Sequence, residues 1–335
     1  MNEHRLASNN NFTVESFKPP FSAFSHVETN FPDNDSIKRL FSLARSGEAK
    51  TLVTEDIPPR GIILEENEEI RDYFPNFREG DLKRISFWKT DFNKDSVTEN
   101  TIDDTACIGY AVLKNDTVPN LFGNRWHVFE AVFKKYDHEH NYIPRPKTYR
   151  VNLLDREISI DGLLFAQQNG LNKRCAHVAL QSLLSRIIDD DISYRRINEI
   201  CQNPPPTGPN FIKGLSANQI QKVLRAYKIP FRDHDYQGST SKDRNRYAYQ
   251  KYVYSGIESG YGALVGFQLT RSNIPQPLRH IIPFYGHTFN KDTWAPAADK
   301  SYFKVGEKLK YVPSEYWTSS FLGHDDNFGP NYCVP

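Results

Sequence analysis

The stretch QQNGLNKRCAHVALQSLLSRII, residues 167–188, decides how this chain is read. Its first half is polar and contains a glycine, the composition of a loop. Its second half places apolar residues at Val178, Leu180, Leu183, Leu184 and Ile187, the spacing of an amphipathic helix. Cys175 stands where the loop enters that helix. The free N–H groups and positive dipole end of a helix N-terminus favour an anionic sulfur. A histidine beside it would make the sulfur a nucleophile near neutral pH.

Working outward from Cys175, the candidate partners follow in order. His280 heads the apolar stretch HIIPFYG, a strand end that would hold a general base rigidly. Asp292 follows on the next segment and is placed to orient the imidazole, with Asn290 as the alternative. His287 is the second histidine of the same strand. Seven residues separate it from His280, so in a continuous strand the two point to opposite faces. Gln168 precedes the cysteine, and its side-chain amide, with the Cys175 backbone N–H, is suited to bind a developing oxyanion. Gln167 is the alternative donor.

The rest of the chain sets the frame. Its 335 residues are 38% hydrophobic and 25% charged, enough apolar material for a normal core in two domains or one large one. A formal charge of +1 gives no electrostatic footprint for nucleic acid or an anionic membrane. The sequence has neither a membrane-spanning apolar run nor a signal-peptide pattern, so a cytoplasmic location is expected. Cys107, Cys175, Cys201 and Cys333 form no CxxC pair, and free thiols are expected, with all but Cys175 structural.

Residues 1–155 read as a smaller, mostly β domain. Ser36–Arg45 has the period of a short helix. ISFWKTDF, ACIGYAVLKN, RWHVFEAVFKKY and TYRVNLL read as strands. Residues 156–335 form the second domain. In it Ser216 caps a helix over ANQIQKVLRAY, and GALVGFQL and RHIIPFYGHTF are strands. The fold class expected is α+β. Asp137-His138-Glu139-His140 reads as a solvated hairpin rather than a metal site. His324-Asp325-Asp326 offers either metal ligands or a hydrogen bond to the active-site region, but its setting in HDDNFGP reads as a packed structural tail.

The ordered set Gln168, Cys175, His280, Asp292 resembles the papain-like cysteine peptidases, and most closely their bacteriocin-processing, double-glycine branch. QQNGLNKRCAHVAL is similar to that family's loop-cysteine-helix element. GLSANQIQKVLRAYKIPF resembles its next helix, YSGIESGYGALVGFQL the strand before the histidine, and Asp292-Thr293-Trp294 the acid-x-Trp pattern. The likeness covers roughly residues 156–300. It implies a Cys-bearing helix packed on an antiparallel sheet, with Trp294 shielding the Asp292–His280 bond. The implied activity is a cysteine hydrolase acting on a protein or peptide substrate through a thioester, with no metal or organic cofactor. An acyl or amide transferase with the same triad, or a catalytically silent binding module, are the alternatives.

Overall fold

The computed structural model describes residues 11–134, 141–172, 174–189, 192–202, 214–236, 248–269, 278–289 and 314–335. Asp292, Asn290, Trp294 and the 137–140 cluster lie outside them. The described residues form an α+β structure with two antiparallel sheets and eight α-helices.

The first sheet has seven strands: β1 (Phe12–Ser16), β2 (Thr51–Asp56), β3 (Arg78–Trp88), β4 (Cys107–Val118), β5 (Phe122–Lys134), β7 (Lys147–Leu153) and β8 (Arg156–Phe165). Their order is β1-β2-β3-β4-β5-β8-β7. Alternate residues serve opposite faces. Leu52, Ala111 and Leu113 join one apolar cluster, while Val53, Tyr110 and Val112 join another. The first cluster is closed by two helices, α1 (Ala23–Asn30) and α2 (Asp35–Ser46), through Val27, Ile37, Leu40 and Phe41. Asn34 caps α2 by accepting the Ile37 N–H at 2.9 Å. The expected helix and the four expected strands of this half are all present.

The change of character near residue 156 falls at a hairpin. Leu154 and Asp155 both have positive φ, 52° and 58°, and join β7 to β8 as a two-residue loop. That backbone matches the right-handed twist of the flanking strands. β8 therefore pairs with β7 and β5 in the first sheet.

The second sheet contains β6 (Asn141–Tyr142), β9 (Ala263–Leu269), β10 (Leu278–Thr288), β11 (Phe321–Asp325) and β12 (Gly329–Val334). β10 is its centre, with β11 on one edge and β9 and β6 on the other. Helix α5 (Cys175–Leu184) packs against β10, β8 and β9. Its Leu183 joins Leu163, Tyr285 and Leu322, and its Leu180 and Leu184 face α6 (Tyr194–Cys201) and α7 (Ala217–Ala226). Ser216 and Gln219 form a capping box on α7. Helix α8 (Tyr249–Glu258) covers Phe284 and Phe321 through Val253 and Ile257.

Two further helices, α3 (Ile62–Tyr73) and the short α4 (Lys94–Thr98), complete the set. The two sheets are tied together by polar bonds. Arg39 on α2 donates to the carbonyls of Pro330 (3.2 Å) and Asn331 (2.7 Å) at the start of β12. Among the described residues no helix is long and apolar enough to cross a membrane.

Candidate active site

The loop between β8 and α5 is built by a few side chains. Gly170 sits at φ +73°, a left-handed backbone conformation that favours glycine. Asn169 accepts the Leu171 N–H at 2.8 Å and donates to Glu66 on α3 at 3.0 Å. Arg174, 2% exposed, pairs with Glu69 of the same helix. The middle of the loop and its end before α5 are therefore held by α3, and Arg174 is the residue immediately before the nucleophile candidate. Cys175 is the first residue of α5 and is half-buried. Its N–H belongs to the first turn, where backbone donors have no partner within the helix.

On β10, His280 lies beside Cys175, close enough for the sulfur to favour the protonated imidazole. The ring's Nε2 lies 3.2 Å from Oδ1 of Asp325 and 3.2 Å from Oδ1 of Asp326. Only the Asp325 contact has hydrogen-bond geometry; both Asp326 oxygens lack a hydrogen-bond partner. The Asn327 side-chain amide is also 3.2 Å from Nε2. Asp325 in turn accepts the Asn327 backbone N–H at 2.9 Å, which fixes its carboxylate at the β11–β12 turn.

Burial works against a charged His280, but the hydrogen bond to Asp325, the Cys175 sulfur and the two nearby carboxylates outweigh it. The imidazole pKa is raised to about 10. Burial likewise works against a charged Asp325, yet the His280 hydrogen bond and the Asn327 N–H hold its pKa below the ordinary value. Asp326 goes the other way, up to about 6. Burial is the main cause, and neighbouring Asp325 adds to it against the pull of His280. The pKa values of the two adjacent carboxylates are thus pushed apart, as expected when like charges share one site.

Cys175, Ser182, His324 and Asp326 help line a cavity of about 10 Å³ beneath the site. A space of that size holds about one water molecule, so a substrate must approach Cys175 from its exposed side. His324, fully enclosed, is kept neutral by burial, with its pKa lowered to about 3.

The structure brings Gln168, Cys175 and His280 together. Gln168 Nε2 donates to Asn327 Oδ1 at 3.5 Å, which puts the amide next to the residue touching His280. Gln167 has a different task. Its Oε1 accepts from Asn34 Nδ2 and from the Val128 N–H, each at 3.0 Å, and so locks β5 to α2. His287 is fully buried and pairs with Glu258 on α8 at 2.8 Å. His177 is a packing residue, 2.9 Å from Asn198 on α6. Cys107 and Cys201 are buried, and Cys107 is pushed up to about 12 by burial.

The acid beside His280 among the described residues comes from HDDNFGP, the segment read mainly as a packed tail, with a hydrogen bond to the active-site region as one alternative. A turn between two strands, with acids at its entrance, is the signal that points there. His280, Asp325 and Asp326 also lie close enough to share a cation. An imidazole that favours its protonated form is a poor ligand for one. No protein-family model, curated protein or solved structure matches the chain.

Proposed function

We propose that this chain is a cysteine hydrolase with a papain-like catalytic half, acting on peptide or isopeptide bonds through Cys175, His280 and Asp325. The observation that carries the reading is the placement of His280 beside Cys175 at the head of α5, with Asp325 hydrogen-bonded to Nε2 of the ring. The packing of a Cys-headed helix on an antiparallel sheet whose central strand carries the histidine supports the papain-like reading. In this proposal Asp325 fills the orienting role that the family resemblance assigns to Asp292.

In the reaction, His280 already carries its proton, and the Cys175 sulfur, as the thiolate beside that imidazolium, attacks the carbonyl carbon of the scissile bond. The oxyanion that forms accepts hydrogen bonds from Gln168 Nε2 and the Cys175 N–H. The Gln168–Asn327 contact is long, at 3.5 Å, so the amide exchanges it at little cost. The imidazolium gives its proton to the leaving amine, and a thioester remains. Water then attacks the thioester, with His280 as base, and the acid is released. Asp325 holds the ring in place and stabilises its positive charge throughout.

The test is alkylation of Cys175 by iodoacetamide, followed by site-resolved mass spectrometry in the wild type and in His280→Ala. The proposal expects Cys175 to react first among the four cysteines, and His280→Ala to slow it at least tenfold at neutral pH. Equal rates in both proteins would sink the Cys–His pair.

A further inference from the structure

The two sides of a scissile bond make different demands on the site. The acyl carbonyl must lie toward the head of α5, where the Cys175 N–H belongs. The leaving nitrogen must take a proton from His280, so it comes within hydrogen-bond reach of that ring. The residue that bears this nitrogen therefore packs against whatever flanks the imidazole.

The imidazole is flanked unevenly. The β11–β12 turn brings Asp325, Asp326 and Asn327 to Nε2. Strand β9 brings an aromatic ring. Phe267 stands directly opposite His280 in the β9–β10 register, and its ring lies 5.5 Å from the imidazole at an angle of 87°. Further along the same two strands, Ile282 pairs with Val265 and Phe284 with Ala263. Pairs two residues apart share one face of the sheet. Phe284 is buried with Val253 and Ile257 of α8, whereas Ile282 and Val265 are half-buried and Phe267 is 36% exposed. An apolar shelf thus starts at the imidazole and runs inward until α8 closes it.

A single exposed aromatic is ordinary. Phe267 differs because its edge-to-face partner is the group that must protonate the leaving amine, and because Ile282 and Val265 continue its apolar surface. The polar residues next in line, Arg279 and Gln268, bond to each other at 3.3 Å, and strand alternation turns them to the other face. The shelf therefore suits a large uncharged side chain.

We propose that Phe267, Val265 and Ile282 receive the residue on the amine side of the scissile bond, and that the substrates carry an aromatic or large aliphatic side chain there. This rests on the cysteine-hydrolase reading and names which side of the bond is selected. An amine that attacks the Cys175 thioester occupies the same position as the leaving group. Its nitrogen bonds to the carbonyl carbon, its proton passes to His280, and the sulfur departs as the thiolate.

The experiment is a competition between acceptors. The full chain is treated with p-nitrophenyl acetate and equal amounts of phenylalaninamide and glycinamide, with N-acetyl-lysinamide as a separate arm. The acetylated amines are counted by mass spectrometry after subtraction of the Cys175→Ala background. Each yield is corrected for that amine's rate with a free acetyl thioester. Phenylalaninamide should be acetylated about tenfold or more in excess of glycinamide, because its side chain leaves water on the shelf. The preference should fall below about threefold in Phe267→Ala and largely persist in Phe267→Leu. Equal yields, no amide above background, or a preference unchanged in Phe267→Ala overturns the subsite, while an acetyl group on Cys175 still supports the nucleophile. No acetyl group on Cys175 overturns the catalytic reading and this inference with it. Stronger acetylation of N-acetyl-lysinamide than of phenylalaninamide assigns the leaving side to the lysine of an isopeptide bond and rejects the proposal.

Discussion

His280 Nε2 lies 3.2 Å from Oδ1 of Asp325, a residue 45 positions further along the chain and on the neighbouring strand. The two acids beside the ring are not equivalent, because only Asp325 receives the hydrogen bond. Asp325→Asn should slow covalent labelling of Cys175 by a peptide-like electrophile about 10²-fold or more. Asp326→Asn should cost less than about tenfold, because Asp326 is already raised to about 6 and accepts no hydrogen bond from the ring. Equal losses in the two variants would contradict the assignment.

The raised pKa of His280 also enters stability. The folded protein holds its imidazole proton up to about 10, whereas the unfolded chain releases it near the ordinary value of 6.5. Between these limits the native state binds more protons, so stability falls as pH rises. The contribution is complete below pH 6.5 and lost by about pH 10. Urea midpoints should decline across this window in the wild type and less steeply in His280→Ala. Parallel curves for the two proteins would show that His280 gains no proton affinity on folding.

The adjacent glutamines should separate rate from stability. Gln168→Ala removes the proposed oxyanion donor and should lower kcat about 10²- to 10³-fold with the thermal midpoint unchanged. Gln167→Ala leaves Asn34 and the Val128 N–H without their shared acceptor. It should destabilise by about 1–3 kcal/mol, with little effect on the labelling rate. Thermal melts and single-turnover labelling of both variants check the pair.

Glu69→Ala strands the Arg174 guanidinium, which is almost wholly buried. Removing one member of a buried ion pair typically costs about 3–5 kcal/mol. Arg174 precedes Cys175 directly, so labelling should slow even under conditions where the variant stays folded. Urea unfolding gives the first effect, and labelling at low urea gives the second.

Much of this arrangement is legible in the sequence. Helix α5, its cysteine, and the capped helix α7 follow from apolar spacing and one serine. Strand β10 and its leading histidine follow from an apolar run. What stays hidden is non-local. Asp325 ends a five-residue strand, and HDDNFGP carries no periodicity to show that it folds back against β10. Strand β8 alternates Ile158 and Ile160 inward, a signal the reading passes over because the segment leads into the Gln loop. The hold of α3 on that loop joins Glu66 to Asn169, 103 residues apart, and only the folded chain shows it. Asp292, the acid suggested by resemblance, lies outside the described residues.

The most direct measurement is the reaction of the protein with p-nitrophenyl acetate, an activated ester that needs no known substrate. The account predicts a burst of about one nitrophenol per protein, with the acetyl group recovered on Cys175 by mass spectrometry. The burst should vanish in Cys175→Ala and slow strongly in His280→Ala. No burst, or acetylation spread over surface lysines with Cys175 unmodified, would contradict the claim that Cys175 is an acyl-accepting nucleophile.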